Sequence, residues 1–165
     1  MSQNPIAQKA SSTGMNRLWA LLIVVCLGAA VVITIINRKA QAPTEQQRAL
    51  AAQGWETSFE QAAQRSVAEG KPILVDFTAD WCPPCQYMKY QIFTLDRVMQ
   101  ARADRFISLR ADITSRSSPG MPMAMQYEIQ ATPTLLILDA QGRELARQVG
   151  ALDESSLLKW FESVP

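Results

Sequence analysis

The sequence contains no histidine, and only three of its 165 residues are cysteine. A structural zinc site takes four ligands, usually Cys or His, so the chain cannot assemble such a set by itself. Lysine and arginine occur only as scattered residues and the formal net charge is +1, so nothing indicates nucleic-acid binding. These absences leave the cysteines as the residues most able to carry chemistry.

Two of the cysteines stand two residues apart in the stretch Trp81-Cys82-Pro83-Pro84-Cys85. The apolar run at residues 73–77 is typical of a buried strand, and a helix-like run begins after Cys85. A Cys-x-x-Cys pair at a strand-to-helix junction can form and reopen a disulfide with little backbone movement. We therefore predict a redox pair, with a static disulfide as the alternative, and we expect no cofactor or metal besides this disulfide.

Residues 18–36 form a long uncharged run. As a helix, the run spans ~28 Å, close to the ~30 Å hydrocarbon core of a bilayer, so we predict a transmembrane anchor. A cleaved secretory signal is the alternative, because residues 40–42 (Ala-Gln-Ala) have the small-x-small form of a cleavage site. Three features argue against cleavage: the run is long, Arg38 and Lys39 follow it directly, and Pro43 would come just after the cut. Positive charges flank the run on both sides, so they do not choose its orientation.

Composition divides the chain into a polar tail, the anchor, a linker and a domain, at residues 1–17, 18–36, 37–54 and 55–165. Within the domain, periodicity and turn residues predict the order helix, strand, helix, strand, helix, strand, strand, helix. The strands are expected at residues 73–77, 106–113, 135–138 and 143–149. The helices are expected between residues 58 and 70, at 82–93 with a second piece at 96–103, at 121–127 and at 154–163.

Three motifs resemble the thioredoxin family: residues 75–85 with the cysteine pair, residues 131–135 with Thr132-Pro133, and residues 149–152 with Gly150. They follow the family's order over roughly residues 55–165. The resemblance implies an α/β thioredoxin fold, with a central mixed β-sheet flanked by helices, preceded here by a single N-terminal transmembrane helix. It also implies the activity of a thiol:disulfide oxidoreductase, and specifically a protein-disulfide reductase.

The same resemblance implies roles for the site residues. Cys82 is expected at the start of a helix, with its sulfur exposed, as the nucleophile, and Cys85 one turn on, shielded, as the resolving thiol. Asp76 matches the family's buried carboxylate, whose pKa burial raises, and is expected to accept or donate a proton for Cys85. An Asp satisfied by backbone amides or solvent is the alternative. Arg110 falls near a lysine that faces this carboxylate in many thioredoxins, with a solvated strand residue as the alternative.

Trp81, Thr132 and Pro133 are expected to contact the substrate. Thr132-Pro133 resembles the family's cis-proline pair, which leaves the backbone of Thr132 free to pair with an extended substrate segment. Trp81 is expected to shield one side of the site, although simple packing would also explain an aromatic side chain there.

Within the family, residues 79–82, 90–94 and 110–114 most resemble the C-terminal periplasmic domain of the thiol:disulfide interchange protein DsbD. The Cys-Pro-Pro-Cys centre on a single anchor is also similar to membrane-tethered TlpA-like reductases. These resemblances imply a single-pass protein of the bacterial inner membrane with its catalytic domain in the periplasm. They imply protein disulfides as substrates, with apocytochrome c, an isomerase or another secreted redox protein as candidates. DsbD's other domains are missing, so we expect a separate membrane or periplasmic electron donor.

Pro83 and Pro84 lie between the cysteines and have no backbone N–H groups. In this family, helix-terminal amides and the helix dipole lower the pKa of the attacking cysteine, and a neighbouring histidine would add positive charge. We therefore expect Cys82 to be less acidic than the cysteine of a strong oxidant. The pair should then be harder to reduce and should donate electrons.

Two other classes of function remain open at this point. Met121, Met123 and Met125 place thioethers at alternate positions, and thioethers together with Cys82 and Cys85 would suit Cu(I). Methionines in a short helix more often fill gaps in a core. A membrane-tethered binding or holdase module without turnover is the third class.

Overall fold

The computed structural model describes residues 13–164, and the chain divides into two compact units, Met1–Ala42 and Pro43–Pro165. The first unit contains helix α1 (Thr13–Gln41), along which described apolar side chains such as Trp19 and Val25 are exposed. Most of the tail predicted at residues 1–17 lies outside the described residues. Over the part of the chain that the structure describes, no helix combines the length and the apolar character needed to cross a membrane.

The second unit is built around a sheet of four strands in the order β2-β1-β3-β4. Strand β1 pairs parallel with β2 and antiparallel with β3, and β3 pairs antiparallel with β4. The strands are β1 (Ile73–Thr78), β2 (Ile107–Asp112), β3 (Thr134–Leu138) and β4 (Glu144–Val149). The helices are α2 (Glu45–Ala52), α3 (Phe59–Glu69), α4 (Pro83–Tyr87), α5 (Asp96–Arg105), α6 (Met121–Gln126) and α7 (Glu154–Ser163). This mixed sheet flanked by helices confirms the predicted α/β thioredoxin fold.

Strand β1 is buried along its whole length because layers cover both faces of the sheet. Its side chains alternate between the layers, as the two-residue period of a strand requires. Leu74 packs in a cluster with Phe93, Val98 and Phe161, whereas Val75 packs on the other face. Asp76 has the same parity as Leu74, so a carboxylate lies on the face covered by the end of the active-site helix, α5 and α7.

The compact unit begins at Pro43, ahead of the boundary at residue 55 expected from composition. Part of the predicted linker is helix α2, which begins with a capping box: the Thr44 side chain accepts from the Gln47 N–H, and the Gln47 side chain accepts from the Thr44 N–H. Ala51 in this helix is buried. The segment therefore packs as part of the domain, while the division into tail, anchor, linker and domain stays a prediction.

The helix predicted from Cys82 to Phe93 is broken into two pieces. Helix α4 ends at Tyr87 and continues as a π-helical turn over Met88–Ile92. The Phe93 N–H donates to the Met88 carbonyl at 2.8 Å, the wider spacing that defines such a turn. The extra residue in this turn cannot be read from apolar spacing alone.

Gly120 is the point where the loop before α6 touches strand β2. Its N–H donates to the Asp112 carbonyl at 2.8 Å. A Cβ at Gly120 would lie 2.5 Å from the Asp112 carbonyl oxygen and 2.8 Å from the Ala111 carbonyl carbon. The close approach of two backbone segments therefore requires glycine here.

We predict that Gly120→Ala lowers the free energy of unfolding by about 3 kcal/mol, because backbone atoms cannot move aside as a flexible side chain can. Gly70→Ala is the control. Its added Cβ meets nothing within 4 Å, so only the left-handed backbone conformation costs energy, about 1 kcal/mol. Urea denaturation of both variants measures the difference, and equal losses would contradict the packing argument.

Candidate active site

Cys82 and Cys85 form a disulfide at the start of α4. Cys82 is the N-cap residue of this helix and has extended backbone angles, and Pro83 and Pro84 occupy the first two helical positions. Proline suits the first turn of a helix because its missing N–H breaks no intrahelical hydrogen bond. The two prolines therefore help to begin the helix where it places the cysteines side by side.

One backbone amide reaches the sulfur of Cys82. The Cys85 N–H donates to the Cys82 Sγ, with a nitrogen-to-sulfur distance of 3.2 Å. An N-cap side chain normally accepts from the second or third helical residue, and here the second is Pro84, which has no N–H. The prolines therefore leave a single helix-terminal donor for this sulfur.

The structure corrects the expected exposure of Cys82. Its side chain belongs to a small apolar cluster with Ala79 and Cys85, against which Ile113 packs. Cys82 is 3% exposed and Cys85 is 2% exposed, so both sulfurs are buried in this oxidised form. The N-cap position explains the difference, because it turns the Cys82 sulfur back onto the first turn of its own helix.

Asp76 lies opposite Arg110 in the pairing of β1 with β2. The Arg110 Nε donates to Asp76 Oδ2 at 3.2 Å, and the two side chains are 11% and 3% exposed. The predicted pairing with Arg110 is therefore present. Among the described residues, the Asp76 side chain is hydrogen-bonded to Arg110 and to neither cysteine.

Burial dominates the electrostatics of this pair. It raises the pKa of the Asp76 carboxyl, while the charges of Arg110, Lys89 and Arg102 act in the opposite direction. Burial also lowers the pKa of Arg110, although Asp76 stabilises its charge. Since desolvation outweighs attraction for both partners, the pair is a costly feature of the interior.

A neighbouring loop holds Trp81 in place. The Trp81 indole N–H donates to the Thr114 carbonyl at 2.9 Å, and the Asp80 N–H donates to Thr114 Oγ1 at 2.9 Å. Asp112 accepts from the Thr114 N–H at 2.8 Å. Trp81 is 65% exposed, so its indole edge is anchored while much of its surface is open. Sequence reasoning missed Thr114, although it singled out residues 110–114 as a motif.

Thr132-Pro133 contains a cis peptide bond. The Pro133 carbonyl accepts from the Gly150 N–H at 2.9 Å, so two of the motifs recognised in the sequence meet here. Thr134, at the start of β3, pairs with Phe77 near the end of β1. The loop with Pro133 and the loop leading to Cys82 therefore leave the same edge of the sheet.

The three methionines of α6 lie in different environments. Met123 packs against the core cluster around Val75, whereas Met125 is 74% exposed. Met121 is partly buried. Cys82 and Cys85 belong to a different cluster, and their sulfurs are joined to each other, so in this oxidised form they offer no thiolate to Cu(I).

A family model described as Thioredoxin-like matches residues 54–140. The chain belongs to the thioredoxin-like family. Its Cys82–Cys85 disulfide stands at the start of α4, which is an arrangement suited to thiol–disulfide exchange.

Several known proteins are similar to this thioredoxin-like chain. The thiol:disulfide interchange protein DsbD of Yersinia pestis is 31% identical over 100 residues, which cover 59% of the chain and 17% of DsbD. Thioredoxin Y of rice, a chloroplastic protein, is 33% identical over 135 residues, covering 82% of the chain and 76% of the relative. The chain thus spans only about a sixth of the DsbD proteins it matches.

The structure also resembles the oxidised C-terminal domain of DsbD from Neisseria meningitidis. The TM-score is 0.56 at 21% identity, and the match covers 67% of this chain and 99% of that domain. At 21% identity, this structural similarity is evidence for the fold alone. Together with the sequence match, it confirms the resemblance to the DsbD domain.

The raised pKa of Asp76 predicts a pH dependence of stability. The folded state binds the carboxyl proton more tightly than the unfolded state. The group therefore contributes stability below its unfolded pKa of about 4, and the contribution is lost as pH rises through the folded value. In urea denaturation, the stability of wild type minus that of Asp76→Asn should fall as the pH is raised.

Asp153→Asn is the control with the opposite sign. The Ser156 N–H holds the pKa of Asp153 below its usual range, so that contribution is present at neutral pH and lost in acid. Parallel pH profiles for the two differences would contradict the interpretation of Asp76.

Proposed function

We propose that this chain is a membrane-anchored reductase of protein disulfides in the bacterial periplasm. The Cys82 thiolate attacks a substrate disulfide, forms a mixed disulfide and releases one substrate thiolate. Cys85 then attacks the Cys82 sulfur, which restores the Cys82–Cys85 disulfide and releases the second substrate thiolate. Two electrons pass to the substrate, and a dithiol donor must return them to the pair.

The hydrogen bond from the Cys85 N–H to the Cys82 sulfur carries the proposal of direction. A strong oxidant of this type is oxidising because its reduced form is stabilised. Here Pro83 and Pro84 supply no amide to the Cys82 thiolate, and the chain has no histidine to supply positive charge. The reduced form therefore gains little stabilisation, and the pair favours donating electrons.

Asp76 is proposed as the proton acceptor for Cys85. It lies on the strand that leads into the cysteine motif, and it is 2% exposed. Its raised pKa supports the role, because a carboxylate of higher pKa is a better match for a thiol proton. Trp81, Thr132 and Pro133 are proposed as the substrate-contacting residues, since the loops that contain them lie at the same edge of the sheet.

The anchor and the compartment rest on separate support. The anchor is proposed from the sequence alone, because residues 18–36 form a long uncharged run. Within this run, Cys26 is a free cysteine and is exposed. Similarity to the DsbD domain supports the periplasm, with apocytochrome c, an isomerase or another secreted redox protein as the proposed substrate.

The first test is the reduction potential of the pair, measured by equilibration with glutathione. We expect a value toward that of thioredoxin, about −270 mV, and away from that of DsbA, about −120 mV. Pro84→Ala restores an amide at the second helical position and should make the potential less negative by about 30 to 60 mV. This range corresponds to one charged hydrogen bond of about 1.5 to 3 kcal/mol.

Pro83→Ala is the matched control. It restores the N–H of the first helical residue, and an N-cap side chain does not normally accept a hydrogen bond from that N–H. A wild-type potential near that of DsbA would overturn the reductase proposal. Equal shifts in the two variants would instead refute the role of the missing amide.

A second test identifies the partner in cells. Cys85→Ala removes the resolving thiol, so Cys82 should retain its substrate as a mixed disulfide in the carbonate-resistant membrane fraction. Cys82→Ser should trap nothing and should abolish insulin reduction by the purified protein. Trapping of cytoplasmic proteins, or recovery of the protein in the carbonate wash, would contradict the compartment or the anchor respectively.

A further inference from the structure

Two arginine side chains stack on the ring of Trp55. The guanidinium carbon of Arg110 lies 4.1 Å from the ring centroid and that of Arg102 lies 4.3 Å from it. Among the described residues, the buried indole N–H of Trp55 has no hydrogen-bond partner. Packing therefore holds Trp55 in place. One of its contacts is edge-on with the ring of Phe93, with the ring centroids 5.0 Å apart. Phe93 comes just after the π-helical turn that continues the active-site helix.

The same two arginines bind the backbone next to Trp55. Arg110 Nη1 donates to the Ala51 carbonyl at 2.6 Å, and Arg102 donates to the carbonyls of Gly54 and Gln53 at 2.9 and 2.8 Å. Ala51 lies in the last turn of α2, where carbonyls lack intrahelical partners and the helix dipole attracts cations. Residues 51–55 thus fix both guanidinium groups.

Arg110 connects this segment to the redox site. One guanidinium group contacts the Trp55 ring, the Ala51 carbonyl and Asp76 Oδ2, the last at 3.2 Å. The charged groups that act on Asp76 are Arg110, Lys89 and Arg102, and Tyr90 also acts on Arg110. The positive charges of two guanidinium groups therefore act on one buried carboxylate.

We propose that Trp55 is a positioning residue for the redox reaction: together with the Ala51 carbonyl, it holds Arg110 against Asp76. The inference rests on the proposed role of Asp76 as proton acceptor for Cys85. Trp55 acts through Arg110 and touches neither cysteine in this role.

Packing alone does not account for this arrangement. Burial and, to a smaller extent, the charge of Arg110 lower the pKa of Arg102 to about 10, although the charge of Asp76 acts in the opposite direction. Arg110 Nη2 and Arg102 Nε are buried without partners among the described residues. Apolar side chains of similar volume would often fill such a site at no cost in stability. Unlike apolar side chains, however, this arrangement keeps a permanent positive charge beside Asp76, because arginine stays charged even when it is buried.

The test is Trp55→Leu in the reduced full chain in detergent, with the Asp76 carboxyl followed by carbon-13 NMR. Releasing Arg110 removes part of the attraction that opposes burial, so the titration midpoint of Asp76 should rise by about one pH unit. The rate at which Cys85 resolves a mixed disulfide should fall about tenfold below that midpoint and should recover at higher pH.

Trp160→Leu is the matched control. Trp160 packs against the same core cluster and lies against Phe161. The Trp160→Leu variant therefore measures the effect of a Trp-to-Leu change beside the core when no arginine contact is lost. We expect it to leave the Asp76 midpoint unchanged. If Trp55→Leu does not fold, Trp55→Phe replaces it, and its smaller ring should shift the midpoint in the same direction.

An unchanged midpoint in a folded Trp55 variant, or equal shifts in the Trp55 and Trp160 variants, would overturn the inference. This outcome is distinct from failure of the proposed function. If the proposed function fails, the wild-type protein itself does not reduce insulin, whatever the titration midpoint of Asp76.

Discussion

Strand β1 is buried on both faces, and this burial determines which partners its one charged residue can have. Its six residues are all buried, and it lies between β2 and β3 in the sheet. A charged group on such a strand must have a partner, because an isolated buried charge is very costly. Asp76 therefore requires Arg110 opposite it, and the strand delivers the chain to the edge of the sheet where the cysteines lie.

Arg110 must in turn be held, and this requirement reaches well beyond the redox site. Its guanidinium group takes the end of α2 and Trp55 as further partners, so residues before the expected domain boundary become part of the site's surroundings. A buried ion pair of this kind is weak evidence for stability. Its position behind the cysteine motif is the reason that we propose a role in proton transfer.

At the other end of the motif, the two prolines affect the surroundings of the Cys82 sulfur. They begin α4 and at the same time limit the helix-terminal donors at Cys82 to the Cys85 N–H. Thioredoxin-like proteins share a fold, and their direction of electron flow depends on how well each stabilises the thiolate. For this chain, the proposed direction of electron flow therefore depends on the two residues between the cysteines and not on the sheet.

The central strand, the cysteine pair and the family could be predicted from the sequence. These are read from short, local signals: an apolar run, a fixed spacing and turn residues in order. Tertiary contacts bury Cys82, anchor Trp81 to Thr114 and pack α2 into the domain, and none of these contacts could be predicted from the sequence. Arg102 and Gly54 are 48 residues apart and Arg110 and Ala51 are 59 apart. No local pattern encodes such contacts, because folding alone brings the partners together.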